Sequence, residues 1–117
     1  MKTTNKVLQD LIMELKKNAS EHQVAIWKRI AEDLEKPSRQ RRIVNLSRIS
    51  KYSKENEVII VPGKVLGSGT LDHKVVISAY QFSKSAVDKI NEAGSKIIDI
   101  NDLIKESPKG KNIRILG

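Results

Sequence analysis

Four short runs rich in β-branched residues, the last three separated by helix signals, most constrain the fold of this chain. The runs are EVIIVPG, KVVISAY, KIIDI and NIRIL, and all of them fall in the second half of the sequence. Ser83 and Asn101 stand where helix N-caps are expected between the runs, and Gly94 is placed to end the first of these helices. Strands that alternate with helices predict a small α/β core over residues 57–117.

The N-terminal part of the chain carries helical rather than strand periodicity. Apolar residues recur every three or four positions over 6–18, which predicts an amphipathic helix. Ser20 and Gln23 match a capping box at the start of a second helix. Trp27 falls in register with the apolar stripe of that second helix, so we expect it to pack in the core. Residues 1–36 are therefore predicted to form a helical hairpin within the same compact unit as the α/β core.

A basic segment joins these two parts of the chain. Residues 36–54 contain seven Lys and Arg and no Asp or Glu, whereas the rest of the chain has 15 basic and 14 acidic residues. Nearly all of the net charge of +8 thus lies in one stretch, and a local field of one sign attracts a polyanion such as nucleic acid. Asn45 is placed to cap a short helix that turns Leu46 and Ile49 inward. We predict a nucleic-acid-binding segment over residues 37–56.

Other classes of protein are disfavoured by what the sequence lacks. There is no cysteine, so neither disulfides nor thiolate metal sites can form, and the two histidines, His22 and His73, lie far apart. No apolar run approaches the roughly 18 residues that span a bilayer, and the first residues lack the apolar stretch of a signal peptide. We therefore expect an intracellular protein with no metal, cofactor, membrane or small-molecule substrate.

The glycine-rich stretch VPGKVLGSG raises the possibility of a nucleotide-phosphate loop. Such a loop needs a Gly-Lys pair at its end that leads directly into a helix, whose N–H groups then face the phosphate. Here Gly63-Lys64 comes first, and a turn and a strand follow Gly69. We interpret the glycines as tight-turn residues between two strands, with Pro62-Gly63 ending the first strand.

Two further interpretations of the residues stay open at this point. Asp72 and His73 follow Ser68 closely, but they lack the strand-turn-helix setting of a nucleophile elbow, so no catalytic residue is predicted. A nucleotide-binding enzyme that uses the glycine loop remains one alternative, and a DNA-binding protein remains the other. Charge alone does not choose RNA over DNA, and no recognition-helix, zinc-finger or basic-zipper pattern is present.

Three ordered blocks carry a resemblance to a known family. They are PSRQRRIVNLSRI at 37–49, VPGKVLGSG at 61–69 and FSKSAVDKINEAG at 82–94. With these blocks the chain resembles the large-subunit ribosomal protein eighteen-e family of archaea and eukaryotes, and its C-terminal half is similar to the bacterial large-subunit ribosomal protein fifteen. The short chain without basic extensions is similar to the archaeal form.

The resemblance implies a structural, non-enzymatic constituent of the cytoplasmic large ribosomal subunit. It implies an α/β core of irregular β-β-α turns preceded by the helical hairpin, with large-subunit ribosomal RNA and neighbouring large-subunit ribosomal proteins as partners. The resemblance and the flanking lysines together predict an RNA-contacting set of twelve residues. These residues are Lys36, Ser38, Arg39, Arg41, Arg42, Asn45, Arg48, Lys51, Lys54, Lys64, Gly67 and Ser68.

Overall fold

A computed structural model describes residues 6–116 of the chain, except for the side chain of Ser38. It shows an α/β fold with N-terminal helices, which confirms the predicted fold class. The helices are α1 (Lys6–His22), α2 (Ala25–Glu35), α3 (Leu46–Tyr52), α4 (Lys84–Glu92) and α5 (Ile100–Glu106), and a 3-10 turn spans Ser38–Gln40. The strands are β1 (Arg42–Asn45), β2 (Val58–Leu66), β3 (Val76–Phe82), β4 (Lys96–Ile98) and β5 (Ile113–Ile115).

All the strand pairs described for the sheet are parallel. The order is β1-β2-β3-β4, and β5 also pairs with β2. Strand β1 pairs with residues 63–66 of β2 and β5 pairs with residues 58–60, so these two strands lie end to end along one edge of β2. Residues 67–75 connect β2 to β3 without a helix, and α4 follows β3. This β-β-α unit is the kind that the resemblance implies.

Helices cover both faces of the sheet. The buried residues of β2 accordingly point to the two faces in turn. Ile59 and Val61 point into a core beneath α3 and α4, and we call this side the α3 face. Ile60 points into a second core with α1, α2 and α5, and we call this side the hairpin face. The N-terminal hairpin thus packs on the sheet itself.

The hairpin turn differs from the predicted capping box. Helix α1 continues to His22, so Ser20 lies inside it, and Val24 takes the N-cap position of α2. Gln23 has a φ of 54°, and the Val24 N–H donates to the Ala19 carbonyl at 3.1 Å. A left-handed residue followed by this bond is a Schellman ending of α1, which leaves Ser20 no role as a cap.

Of the three helix boundaries predicted in the α/β core, two are correct and one is wrong. Ser83 is the N-cap of α4, and its hydroxyl accepts a hydrogen bond from the Ala86 N–H at 3.2 Å. Gly94, with a φ of 75°, ends α4 as predicted. Asn101, however, lies inside α5, whose N-cap is Asp99. Ile100 is buried at the first helical position, so tertiary packing starts this helix two residues earlier.

Two strand predictions also need correction. Strand β2 does not end at Pro62-Gly63 but continues to Leu66, and β1 was not predicted as a strand. The pairing of β2 with β3 shifts between Val61 and Lys64, and this bulge accommodates the missing N–H of Pro62. Gly63 lies opposite Arg42 of β1, where a Cβ would overlap the Arg42 carbonyl oxygen. Gly63 therefore permits close approach of two strands.

Trp27 lies in the core, as predicted, with no exposed surface. Its Nε1–H donates to the Pro108 carbonyl at 2.7 Å, and the Asn18 side-chain amide donates to the same oxygen at 3.0 Å. These two bonds fix the hairpin to the turn between α5 and β5.

Candidate nucleic-acid interface

The basic segment is anchored to the core by its apolar residues. Val44 of β1 and Leu46 and Ile49 of α3 are at most 1% exposed and belong to the core of the α3 face. Because these side chains point inward, the polar and charged residues between them are turned to the surface. The segment is thus a strand and a helix in defined positions.

Helix α3 presents two cations around an exposed aromatic ring. The Arg48 guanidinium carbon lies 5.1 Å from the centroid of the Tyr52 ring, and the Lys51 Nζ lies 5.3 Å from it. Tyr52 is 46% exposed, so the ring reaches solvent as well as the two cations. Cations held over a ring are attracted by its quadrupole. Sequence reasoning selected Arg48 and Lys51 but not the ring that orients them, although the four-residue spacing places Arg48 and Tyr52 on one helix face.

Asn45 links α3 to the glycine loop. It occupies the predicted N-cap position, but its side chain makes no capping hydrogen bond. Its Oδ1 instead accepts a bond from the Ser68 N–H at 3.3 Å, and the Ser68 carbonyl accepts a bond from the Ser47 N–H at 3.0 Å. Ser68 is thereby held beside the start of α3 with its side chain exposed.

Arg41 and Lys64 lie on the other side of the sheet. The Arg41 guanidinium carbon lies 5.7 Å from the centroid of the Tyr80 ring, and its Nε–H donates to the Lys36 carbonyl at 3.1 Å. Lys64 pairs with Ile43 of β1 and with Gln81 of β3, and these three neighbours are all exposed. We call Ile43, Lys64 and Gln81 the uncovered row.

The remaining residues of the predicted set have varied surroundings. Lys36 forms an ion pair with Asp33, with Nζ and Oδ1 3.2 Å apart. Lys54 is exposed, and its backbone N–H donates to the Glu57 carboxylate at 2.9 Å. Arg39 is exposed and Arg42 is half-buried. Ser38 begins the 3-10 turn, but its side chain lies outside the described part of the structure.

Most cations of the segment have no carboxylate partner. In the described part of the chain, the salt bridges include Lys36 but none of the other six Lys and Arg of the segment. Their charge is therefore not neutralised inside the protein. Arginine forks of this kind can bind phosphates with two parallel hydrogen bonds.

The glycine loop is closed by contacts within the protein. The Lys89 ammonium of α4 donates to the carbonyls of Gly67 and Gly69 at 2.7 and 3.1 Å. A Cβ at Gly67 would overlap the Ser85 hydroxyl and crowd the first turn of α4. Only Gly69 of the three glycines in the stretch has a left-handed φ, of 93°. The interpretation of all three as tight-turn residues therefore holds for Gly69 alone.

The loop also corrects the expectation that no helix N-terminus lies near its glycines, which rested on the order of residues along the chain. The N-terminus of α4 does lie beside Gly67, although the chain after Gly69 leads to a strand. Packing between β2 and α4 brings this helix N-terminus to the loop, and the order of residues along the chain does not reveal that contact. Internal donors and acceptors nevertheless occupy this loop, so its geometry does not favour a nucleotide-phosphate pocket.

His73 pairs with Ser53 rather than with Ser68. The Ser53 hydroxyl lies 2.5 Å from the Ile49 carbonyl and 2.8 Å from His73 Nε2. A carbonyl can only accept, so the single hydroxyl proton of Ser53 points to Ile49 and His73 Nε2 must donate. An imidazole nitrogen that donates to a serine cannot act as the general base for it.

Glu57 marks the opposite end of β2 from the glycine loop. Burial raises the pKa of this carboxyl, but a 2.7 Å hydrogen bond from Arg114 Nε and the bond from the Lys54 N–H together lower the pKa below its ordinary value. The carboxylate is therefore held ionised by its two donors. Through these two hydrogen bonds Glu57 connects β5 to the end of the basic segment.

The part of the chain that the structure describes has neither a membrane-spanning helix nor a cluster of metal ligands. Among residues 6–116 no helix has both the length and the apolar character to cross a membrane. In the same part of the chain, no three His, Asp or Glu side chains converge as a metal site would require.

Comparison with known proteins decides the family. The sequence profile of the ribosomal protein family whose description includes 50S-L15 and 50S-L18e matches residues 6–98. The chain belongs to this family. Ribosomal proteins of the family are structural rather than enzymatic, so the prediction that this protein is not an enzyme is confirmed.

Individual relatives extend this match to nearly the whole chain. The chain is 47% identical over 113 residues to "Large ribosomal subunit protein eL18" of Methanothermobacter thermautotrophicus, covering 97% of this chain and 93% of the relative. The protein of the same name from Methanoregula boonei is 49% identical with the same coverage. That from Archaeoglobus fulgidus is 43% identical and covers 99% of both chains. All three relatives are archaeal, which agrees with the predicted archaeal form.

Proposed function

We propose that this protein binds large-subunit ribosomal RNA through phosphate contacts of its basic segment and thereby supports assembly of the large ribosomal subunit. The proposal rests on a set of cations at the surface that have no carboxylate partner. Buried residues of the same segment hold the backbone that carries them. The six are Arg39, Arg41, Arg42, Arg48, Lys51 and Lys54. The names of the archaeal relatives support a place in the cytoplasmic ribosome beside other large-subunit proteins.

The restraint of Arg41 and Arg48 by neighbouring groups favours binding. Long cationic side chains lose rotamer freedom when they bind a phosphate, and this loss opposes association. Arg41 is already restrained by the Lys36 carbonyl and the Tyr80 ring, and Arg48 by the Tyr52 ring. These restraints reduce the ordering that RNA binding requires. The released counterions of the RNA then supply a salt-dependent driving force.

This role accounts for the composition of the surface. Crowded RNA segments repel each other through their phosphates, and a protein that places cations between them lowers that repulsion. The aromatic content of the chain, 3%, is too low for extensive base stacking. Binding through backbone phosphates and RNA shape fits this composition.

Salt-dependent binding tests the proposal. The full chain is titrated onto a transcript of archaeal large-subunit ribosomal RNA at ~50 to ~300 mM KCl. We expect Arg41→Ala to weaken binding and to lower the slope of log K against log salt by about one, because one phosphate contact is lost. Arg29→Ala is the matched control, since Arg29 is an exposed arginine of α2 outside the segment. Equal slopes for wild type and Arg41→Ala would contradict a phosphate contact at Arg41.

A competition experiment distinguishes RNA from DNA. Unlabelled duplex DNA of matched length is added to the complex with the labelled transcript. We expect DNA to displace the protein only at large excess, because the family to which the chain belongs is ribosomal. Displacement by DNA at equal concentration would favour the DNA-binding alternative.

A further inference from the structure

We infer that the protein contacts two separate segments of RNA at once, one on each face of its sheet, so that it acts as a spacer and bridge between them. This inference rests on the proposed function. It goes beyond that function because the linear sequence presents residues 36–54 as one basic patch, whereas the structure divides their side chains between opposite faces.

The division follows from the alternation of β1. Val44 pairs with Val65 of β2, and both side chains lie in the core of the α3 face. Neighbouring residues of a strand point to opposite sides. Ile43 and its partner Lys64 therefore point to the hairpin face. A single short strand thus separates the cations that precede it from those of the helix that follows it.

The first contact surface lies on the α3 face. Leu46 and Ile49 hold α3 against the sheet, so Arg48 and Lys51 extend away from it around the Tyr52 ring. Two cations beside an exposed ring match an RNA segment whose phosphates meet the cations while a ribose or base contacts the ring.

The second contact surface lies on the hairpin face, beyond the end of the helical layer. Tyr80 packs against the core of α1, α2 and α5, and Arg41 lies over its ring. Val65 and its partner Phe82 lie in the core of the α3 face, so the preceding pair, Lys64 and Gln81, points to the hairpin face; the regular alternation of β3 is interrupted here, beside the register shift of β2. Past Tyr80 the residues Ile43, Lys64 and Gln81 are exposed in three adjacent strands, so none of the described helices covers the sheet there. Ile43 is 62% exposed, which is unusual for a β-branched residue in a sheet with two covered faces.

RNA fits the uncovered row better than a protein partner does. The row and its neighbour Arg41 carry two cations, and in the described part of the chain neither forms an ion pair with a carboxylate. An apolar side chain beside a cation, as Ile43 is beside Lys64, suits a ribose surface next to a phosphate. A protein occupant would need acidic groups to match the same charges.

Two segments are required because the protein itself stands between the surfaces. The sheet, α3 and the buried side chains of both cores separate Arg48 from Lys64. An RNA segment that lies flat on α3 therefore cannot also lie on the uncovered row. The protein replaces phosphate repulsion between the two segments by attraction of each to its own cations.

Directed cleavage of RNA tests this inference, and the cysteine-free sequence makes it direct. Single cysteines are introduced as Ser47→Cys on α3 and Gln81→Cys in the uncovered row, and each carries a tethered iron chelate that cleaves nearby RNA. Both positions are exposed. Each labelled full-length protein is bound to the archaeal large-subunit ribosomal RNA transcript. We expect the two positions to cleave two non-overlapping RNA segments that are not the two strands of one helix.

Charge variants on each face sharpen the result. Arg48→Ala with Lys51→Ala is expected to remove the cleavages from position 47 while those from position 81 persist. Arg41→Ala with Lys64→Ala is expected to do the reverse. Lys28→Cys on α2, an exposed position away from both surfaces, is the background control and is expected to give weak, scattered cleavage.

Three outcomes would overturn the inference. Cleavage of one common segment from both cysteines would mean a single binding surface. Silence at position 81 with cleavage from position 47 would leave the uncovered row to a protein partner or to solvent. Equal cleavage from position 28 would mean binding without orientation. Absence of any RNA binding would instead contradict the proposed function itself, so the two failures are distinguishable.

Discussion

The N-terminal hairpin and the basic segment carry similar numbers of cations but use them differently. Residues 6–35 contain five Lys and Arg and six Asp and Glu, and two of the described salt bridges, Lys6 with Asp10 and Lys16 with Glu35, join side chains within this range. Residues 36–54 contain seven cations without an acid of their own. The availability of carboxylate partners, rather than the number of cations, is therefore what separates the proposed RNA-binding segment from the helical hairpin.

The largest effect is expected when a buried side chain that holds one of the two regions to the core is truncated. Ile49→Ala in α3 and Ile30→Ala in α2 each truncate a fully buried isoleucine, and each is expected to lower the free energy of unfolding by about 2 to 5 kcal/mol. Urea unfolding measures this. The RNA-binding salt slope of the folded protein should fall for Ile49→Ala and stay constant for Ile30→Ala. A constant slope for both would mean that the anchor of α3 does not position its cations.

A second test disturbs the contact between β1 and β2. Gly63→Ala places a methyl group against the Arg42 carbonyl and forces the strands apart, which we expect to cost about 1 to 3 kcal/mol by overpacking. Thermal unfolding gives the loss, and salt titration with the RNA transcript shows whether β1 still orients Arg41. Gly94→Ala is the control of matched destabilisation. At its φ of 75° an alanine is strained by about 1 to 2 kcal/mol, but its Cβ meets only the end of the flexible Lys74 side chain and not β1, so the salt slope should stay constant. Unchanged stability in Gly63→Ala would refute the close-approach role.

A third test uses pH on the carboxylate beside the end of the basic segment. Since its donors lower the pKa of Glu57, this carboxylate contributes stability above the unfolded-state pKa, and the contribution is lost as the pH falls through the folded-state pKa. Glu57→Gln should therefore be less stable than wild type at pH 7, by under about 1 kcal/mol because the pair is partly exposed. The difference should shrink as the pH falls below the unfolded-state value of about 4.3. A difference independent of pH would point to packing instead.

The smallest effect is expected in the hairpin. The Lys16 Nζ and the Glu35 carboxylate are 2.6 Å apart, but both side chains are about half exposed. Lys16→Ala is therefore expected to change the free energy of unfolding by less than about 0.5 kcal/mol and to leave RNA affinity unchanged. A clear loss of affinity would show that the hairpin also contacts RNA, and the comparison between the two regions would no longer hold.

Local signals in the sequence were enough to predict the fold class, the two N-terminal helices and the caps at Ser83 and Gly94. These features depend on residues within one helical turn of each other. The capping box at Ser20 failed because a Schellman ending formed by Gln23 competes for the same residues. Strand β1 was missed because its four residues gain their strand character from pairing with β2.

For the predicted site, too, the sequence indicates which residues to select but not where they lie in space. Arg41, Arg48 and Lys64 could be selected from charge and from the family resemblance, because charge is a property of each residue. Their distribution over two faces depends on the alternation of β1 and on its register with β2. The Tyr80 ring beneath Arg41 and the Lys89 ammonium beneath the glycine loop are tertiary contacts, and no local spacing indicates them.

The arrangement of β1 and β5 along one edge of β2 has a consequence for synthesis of the chain. Residues 58–60 of β2 keep that edge unpaired until residues 113–115 are available, and Trp27 Nε1 lacks its Pro108 acceptor until that residue is made. A ribosome that adds residues from the N-terminus releases β5 last among the strands. Completion of the sheet must therefore wait for almost the whole chain to emerge. The basic segment leaves the ribosome well before then, so its cations emerge earlier than the fold that finally positions them.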